Sequence, residues 1–461
     1  MRRRHLIGSL AALGAARLPA PAWAQPDPPA DLRITDLKVL DVRGPRERQR
    51  LAYQWQVTPL HVYPEHAPGP YPADPTLPPE TYEHRVLYLK IETGGGPEGF
   101  YGLVDPEAAV VVLRQLREFL IGQDPLAIET IWDKLYRMNR HSRAGHYMMA
   151  LSAVDNALWD LAAKHYGVPV YRLLGGPTRE SVEAYGSCLG DSVAPESVAR
   201  RCVELKGQGF RHQKWFFAHG PSHGSPGLLA NVELVRTLRE SLGDETGIMF
   251  DAYNGWDLVY AKEWARLAEA YSPAWIEEAF SSEKLQSFVE LRRSTSIPVA
   301  TGEHFYGRWE VNRFLRADAL DVVQADPEWC GGVSELVRIC TLASANDVRV
   351  VPHGHNIHAA LHVIASQSPM TCPLAEYLIH FKPGKAYFEK DPPVPVDGRI
   401  PLPTRPGFGI ELDESKIREI RPFEAKRGVR SCLLPDSTPT ASRRPDPRLR
   451  GKGKKQDLTP L

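Results

Sequence analysis

Three acids, Asp251, Glu277 and Glu303, each close a short apolar run, and each follows the last by about 26 residues, the length of one strand-plus-helix unit of a parallel barrel. The runs read GIMFD, PAWIEE and IPVATGEH, buried-strand text with an acid at the exit. In such a barrel every strand ends on one rim, so acids separated by whole units converge in space. Three converging carboxylates call for a cation, and an all-oxygen set suits a hard ion such as Mg2+, one per site.

Two further units extend the series. ALDVVQAD ends in Asp326, and VRVVPHG carries His353 at the next strand end. A carboxylate one unit before a histidine holds the imidazole, fixes its tautomer and raises its basicity. The next unit, CPLAEY, places Glu376 opposite the metal-side acids. A lone acid at a strand end is ordinarily a cap, but caps have no reason to keep step with barrel units. Together these groups suit removal of a proton alpha to a carboxylate, with a cation offsetting the charge of the ene-diolate while a side chain takes the proton. Glu278, beside Glu277, reads as a supporting or salt-bridge group.

With these residues and the motifs KWFFAHGPSHG, WIEEA, TGEHFYGRW, QADPEWCGGVSEL and VPHG, the chain resembles the enolase superfamily, in its mandelate racemase subgroup, over residues 33 to 420. Within the subgroup it is most similar to the acid-sugar dehydratases, the L-rhamnonate dehydratases above all. The resemblance implies a metal held by Asp251, Glu277 and Glu303, a catalytic dyad of His353 and Asp326, and Glu376 as an electrophile facing the substrate.

The departures from the racemase pattern bear on function. Racemases of the subgroup carry Lys-x-Lys at the end of the second strand, whereas this chain reads FRHQKWFF, with Lys214 alone. In the reactive position Lys214 is a second base; in the outer one the opposite face has none. A separate reading has its ammonium bind the substrate carboxylate. The sequence leaves both open. Some dehydratases place a histidine two residues after the first metal acid, where this chain has Tyr253. One clear base fits a one-face elimination, in which His353 removes the alpha proton and then protonates the departing hydroxyl. The favoured reading is dehydration of an acid sugar to a 2-keto-3-deoxy acid. A racemase or epimerase, and a non-catalytic exported binding protein, stand as alternatives. The histidines at 353, 355, 358 and 362 raise a zinc-hydrolase reading, which the oxygen-rich set disfavours.

The predicted architecture is α/β: a (β/α)8-type, modified TIM barrel over residues 146–378, with an N-terminal α+β capping domain over 25–145. Residues 379–425 complete the cap, and 426–461, basic and Pro-rich, read as a disordered tail. In the cap, LRITDLKVLDV and HRVLYLKIET alternate like antiparallel strands around a long Pro-rich loop. Loops of that length are usually lids or binding loops. His61 and Tyr63 within it, with Glu65 and His66 beside them, are candidate substrate contacts, as are Arg143 near the domain junction, with His146, and His304 beside Glu303. Gly94 to Gly99 satisfies the dinucleotide glycine pattern, but no helix follows, so it reads as a hairpin turn.

The 461-residue chain has 43% hydrophobic and 24% charged residues and zero formal net charge. No basic excess points to nucleic acid, no stretch reaches the ~20 apolar residues that span a bilayer, and the partner expected is a small carboxylate, with homo-oligomers common in the family. Six scattered cysteines give no disulfide framework. Residues 1–24 resemble a twin-arginine signal: Arg2 to Arg4, a short apolar run, and Ala22-Trp23-Ala24 before Gln25. The expectation is a periplasmic enzyme.

Overall fold

A computed structural model describes residues 30–51, 56–66 and 76–424. The expected signal (1–24) and the tail from 426 lie outside the described residues.

The cap is built on a four-stranded antiparallel sheet. Strands β1 (Ile34–Leu51) and β2 (Thr76–Thr93) pair along their length, and β3 (Gly99–Gly102) adds to β2 across the glycine-rich turn. Each long strand exceeds the run of alternation visible in sequence. The Pro-rich segment thus contributes Thr76–Pro79 to β2, and the loop proper is shorter than expected. A helical stretch begins at Pro106 and is continuous to Leu120, with a π-type turn at Val112–Leu116.

Eight parallel strands follow: β4 (Ser181–Ser187), β5 (His212–Phe216), β6 (Gly247–Asp251), β7 (Trp275–Glu277), β8 (Val299–Thr301), β9 (Val322–Val323), β10 (Arg349–Val350) and β11 (Leu374–Leu378). Ladders run unbroken from β10 through β9 to β4 and on to β11. The circuit is completed at β10–β11 without a ladder among the described residues. There the backbone bond from Val350 N to Thr371 O (2.8 Å) and a bond from Gly354 N to Glu376 Oε2 (2.7 Å) span the gap. A short β12 (Arg399–Pro401) pairs antiparallel with β4, and β13 (Glu419–Pro422) returns to pair with β1, so the end of the described chain finishes the cap sheet. Buried Asp41 fastens this sheet, accepting from Arg43 and Arg85 and lying 3.4 Å from Arg421 of β13.

The period of two along each strand fills the barrel in layers. Tyr185, Met249, Trp275, Ala300, Val322, Val351 and Leu374 form one buried apolar cluster. Two residues nearer the rim on the same strands or their extensions stand Ser187, Asp251, Glu277, Gln324, His353 and Glu376. The apolar layer is a floor, and the next inward position of nearly every strand is polar.

The helix Gly145–His165 joins cap to barrel. It is buried almost all round. One side lies against β3, where a Cβ on Gly99 would stand 2.3 Å from Ala157 O. The other carries buried polar groups that hold the turn after β9. Ser152 Oγ accepts from Gly331 N, Asn156 donates to Pro327 O, and Asp155 accepts from Ser334 N and Oγ. Their partners across the junction explain why these groups tolerate burial.

Candidate active site

The rim brings the expected acids, lysine and histidine together. On one side, β6, β7 and the end of β8 present Asp251, Glu277, Glu278 and Glu303, all buried. Burial, joined by repulsion from neighbouring acids, pushes the Asp251 carboxyl up to about 7 and that of Glu277 up to about 8, against the pull of Lys214. Burial with Glu303 and Glu277 nearby drives Glu278 well above the usual range. Glu303 goes the other way: burial alone would raise it, but the His353 and His304 imidazoles hold it well below the ordinary carboxylate value. Backbone in the left-handed region at Tyr253, Asn254 and Glu278 turns the chain sharply beside Asp251 and Glu277. Asn254 Nδ2 donates to Glu278 Oε2 at 2.7 Å.

Lys214 is enclosed in the barrel, 1% exposed. Its Nζ lies 2.5 Å from Glu277 Oε1, 2.9 Å from Glu376 Oε1 and 3.3 Å from Asp251 Oδ2. Burial pulls its pKa down, but Glu277 and Glu376 outweigh that, and the net shift is well upward. Lys214 is therefore a fixed ammonium among three carboxylates. The second oxygen of Glu277 accepts from Trp275 Nε1 (2.9 Å). The tightest grouping of possible metal-ligand atoms among the described residues is Glu278, Glu303 and His304, within 4.8 Å of one another, so Glu278 stands nearer the centre than its sequence reading suggested.

On the other side, His353 Nδ1 lies 2.7 Å from Asp326 Oδ2, and its Nε2 faces Glu303 Oε2 at 3.6 Å. Asp326 is fully buried and accepts also from His355 N and Glu328 N, which fixes its carboxylate plane. Burial lowers the His353 pKa, yet Glu303, Asp326 and Glu376 together raise it above the ordinary imidazole value.

The substrate candidates fare differently. His304 sits in the cluster, 3.2 Å from Glu303 Oε1 and stacked on Trp329. The segment 56–66 lies on the barrel rim: Val57 N bonds Phe217 O, and His61 O accepts from Ser222 Oγ. Tyr63 is 55% exposed on this segment. The exposed Arg143 packs on the Tyr136 ring and donates to Tyr136 O, in a surface stack with Trp309. The later histidines do not gather round an ion: His358 bonds Glu389, and His362 Nδ1 accepts from Tyr171 N.

His355, one of the histidines noted in sequence, lies between Asp105 (3.5 Å) and Lys385 (3.1 Å). Two buried groups escaped the sequence reading: Tyr101 of the cap donates to Glu328, and Lys382 is buried, its pKa lowered to about 7 chiefly by that burial. The only signal for them was KPGK after a strand and a Trp two residues past the Asp326-Pro327 step.

Residues 197–416 match the family described as "Enolase C-terminal domain-like", and 80–175 match "Mandelate racemase / muconate lactonizing enzyme, N-terminal domain". An L-rhamnonate dehydratase of Saccharopolyspora erythraea is 35% identical over 350 residues, 74% of this chain and 86% of that protein. Among solved structures, rhamnonate dehydratase from Gibberella zeae complexed with Mg superposes with TM-score 0.70 at 27% identity, over 84% of this chain and 96% of that one. A racemase from Streptomyces coelicolor A3(2) with bound magnesium gives 0.67 at 25%, over 83% and 98%. The chain belongs to the enolase superfamily, with the mandelate racemase/muconate lactonizing type of capping domain. It is an enzyme of the dehydratase, or hydro-lyase, kind.

Proposed function

We propose that this enzyme dehydrates an acid sugar, a 2,3-dihydroxy carboxylate, to the 2-keto-3-deoxy acid, in a Mg2+-dependent reaction. The observation that carries the reading is the asymmetry of bases. His353 is backed by Asp326 with Nε2 turned to the rim, while Lys214 is enclosed by three carboxylates.

The acid side fits a hard divalent cation. Its donors are oxygens, and Asp251 and Glu277 are raised to about 7 and 8 by burial and by each other's neighbours, the condition a bound cation relieves. Asp251, Glu277 and Glu303, the set the family resemblance implies, would hold it; the ligand atoms that lie within 4.8 Å of one another are those of Glu278, Glu303 and His304. When bound, Mg2+ supplies Lewis-acid stabilisation of negative charge on the substrate's carboxylate. Asp326 pairs with His353 Nδ1, which in the neutral imidazole favours the tautomer whose Nε2 is the proton acceptor at the rim. Nε2 takes the alpha proton; the C–O bond to the beta hydroxyl breaks as the same imidazolium protonates the departing oxygen, releasing water; the enol product then ketonises. Lys214 lies against Glu277 and Glu376, contacts that make it a poor base on the opposite face and support elimination over racemisation.

The test is incubation of the protein with Mg2+ and a panel of aldonic acids, assaying 2-keto-3-deoxy acid. One acid turned over is expected. Exchange of the alpha proton with inversion and no keto product would replace this reading with a racemase. Export by the N-terminal segment belongs to the same proposal, and activity found only in the cytoplasmic fraction of expressing cells would refute it.

A further inference from the structure

Trp329 lies on the turn that also carries Asp326, its N–H donating to Asp326 O at 3.0 Å. Its ring is 5% exposed and meets three imidazoles: His304 at 5.2 Å between centroids and 2° between planes, His353 at 5.0 Å and 30°, and His355 at 5.0 Å and 46°. These rings come from the ends of two different barrel units, after β8 and after β10. Among the described residues, the carboxylate paired with both working rings is Glu303, at 3.2 Å from His304 Nε2 and 3.6 Å from His353 Nε2. An acid drawn toward a cation cannot also hold two imidazoles in plane. The indole can, because its contact is with ring faces and leaves both Nε2 atoms free.

The turn is itself immobilised from outside the barrel. Trp132 Nε1 donates to Gly331 O at 2.7 Å, Ser152 Oγ accepts from Gly331 N at 2.9 Å, Asn156 bonds Pro327 O, and Tyr101 bonds Glu328. The cap and the junction helix therefore hold the turn, and the turn carries both the group that orients His353 in its plane and the surface that fixes the plane.

We propose that Trp329 is a positioning residue: its indole sets the spacing and tilt between the base His353 and the substrate-facing His304, so that one ring meets the alpha proton while the other meets the substrate's oxygens. The roles of the two histidines rest on the dehydratase reading; the rigid relation between them does not. A loss of alignment of about 1 Å costs on the order of a hundredfold in rate.

The test compares Trp329→Leu and Trp329→Phe with the parent enzyme, by steady-state kinetics and by NMR of the imidazole ring protons of metal-free protein. Expected for Trp329→Leu are a kcat lower by about 10- to 100-fold with KM changed far less, His353 and His304 resonances displaced from their ring-current-shifted positions, and substantial recovery of both in Trp329→Phe. Parental kcat in Trp329→Leu overturns the proposal. So does a kcat loss with both imidazole resonances where the aliphatic neighbour alone would put them in parent and variant alike, since Trp329 would then act on packing elsewhere. If the parent dehydrates no acid, the dehydratase reading falls, and the ring resonances alone decide whether Trp329 fixes the pair.

Discussion

The two halves of the rim solve the problem of buried charge in opposite ways. On the half from β9 to β11, each acid has a partner within the protein: Asp326 has His353 and two backbone donors, and Glu376 has Lys214 and Gly354 N. On the half from β6 to β8, four acids share Lys214 and two histidines, and two of them sit near neutrality. The comparison teaches where the protein is complete and where it leaves buried charge unbalanced: on the proposed reading, the paired half does proton work and the crowded half receives positive charge.

The largest expected effect comes from breaking the paired half. His353→Asn keeps the shape and removes the base, so kcat should fall by about a thousandfold or more, while Mg2+ binding measured by calorimetry persists. Lys214→Met takes away the one ammonium that serves both halves. Loss of one partner from a buried cluster costs roughly 3 kcal/mol, to be read as a lower denaturant midpoint of the metal-free protein; a fully stable variant would show that the acids repartner without it. Glu303→Gln touches both halves more gently and should weaken Mg2+ binding by at least about tenfold on calorimetry.

The smallest effect is the most specific to the comparison, and its sign can be worked out. Asp251 and Glu277 have folded pKa values raised to about 7 and 8 from 3.8 and 4.5. Between these limits the metal-free folded state binds more protons than the unfolded chain, so their contribution is full below about pH 4 and is lost as pH rises toward 8. Mg2+ binds the deprotonated acids, so the thermal stabilisation it gives should grow from pH 5 to pH 8. At a hundredfold excess over Kd it amounts to about 2.7 kcal/mol. A gain in Tm independent of pH would mean that the crowded half does not take up protons when empty of metal.

How much of this was legible in sequence follows the same division. The acids and His353 were readable because each ends a strand of a repeating unit, and period alone puts strand ends on one rim. The floor-and-rim layering follows from the period of two in the same strands. The fate of Lys214 was not readable, because its partners come from three other strands and only the closed ring decides which way a side chain inside it finds charge. The polar face of Gly145–His165 was hidden for a related reason: Ser152, Asp155 and Asn156 look solvent-facing until their partners, some 170 to 180 positions later in the chain, are known. Trp329 looked like one tryptophan among ten, and nothing local marks a ring that serves three histidines.

Glu376 has a consequence beyond charge. Its Oε2 accepts from Gly354 N at the β10–β11 seam, where the described strands have no ladder, and there it joins the backbone bond from Val350 N to Thr371 O in closing the ring. The barrel is thus a band whose hem is fastened partly by a side chain of its own rim. A parting of the wall at that seam would separate the segments bearing His353 and Glu376 while the β6 to β8 acids stayed on the laddered side.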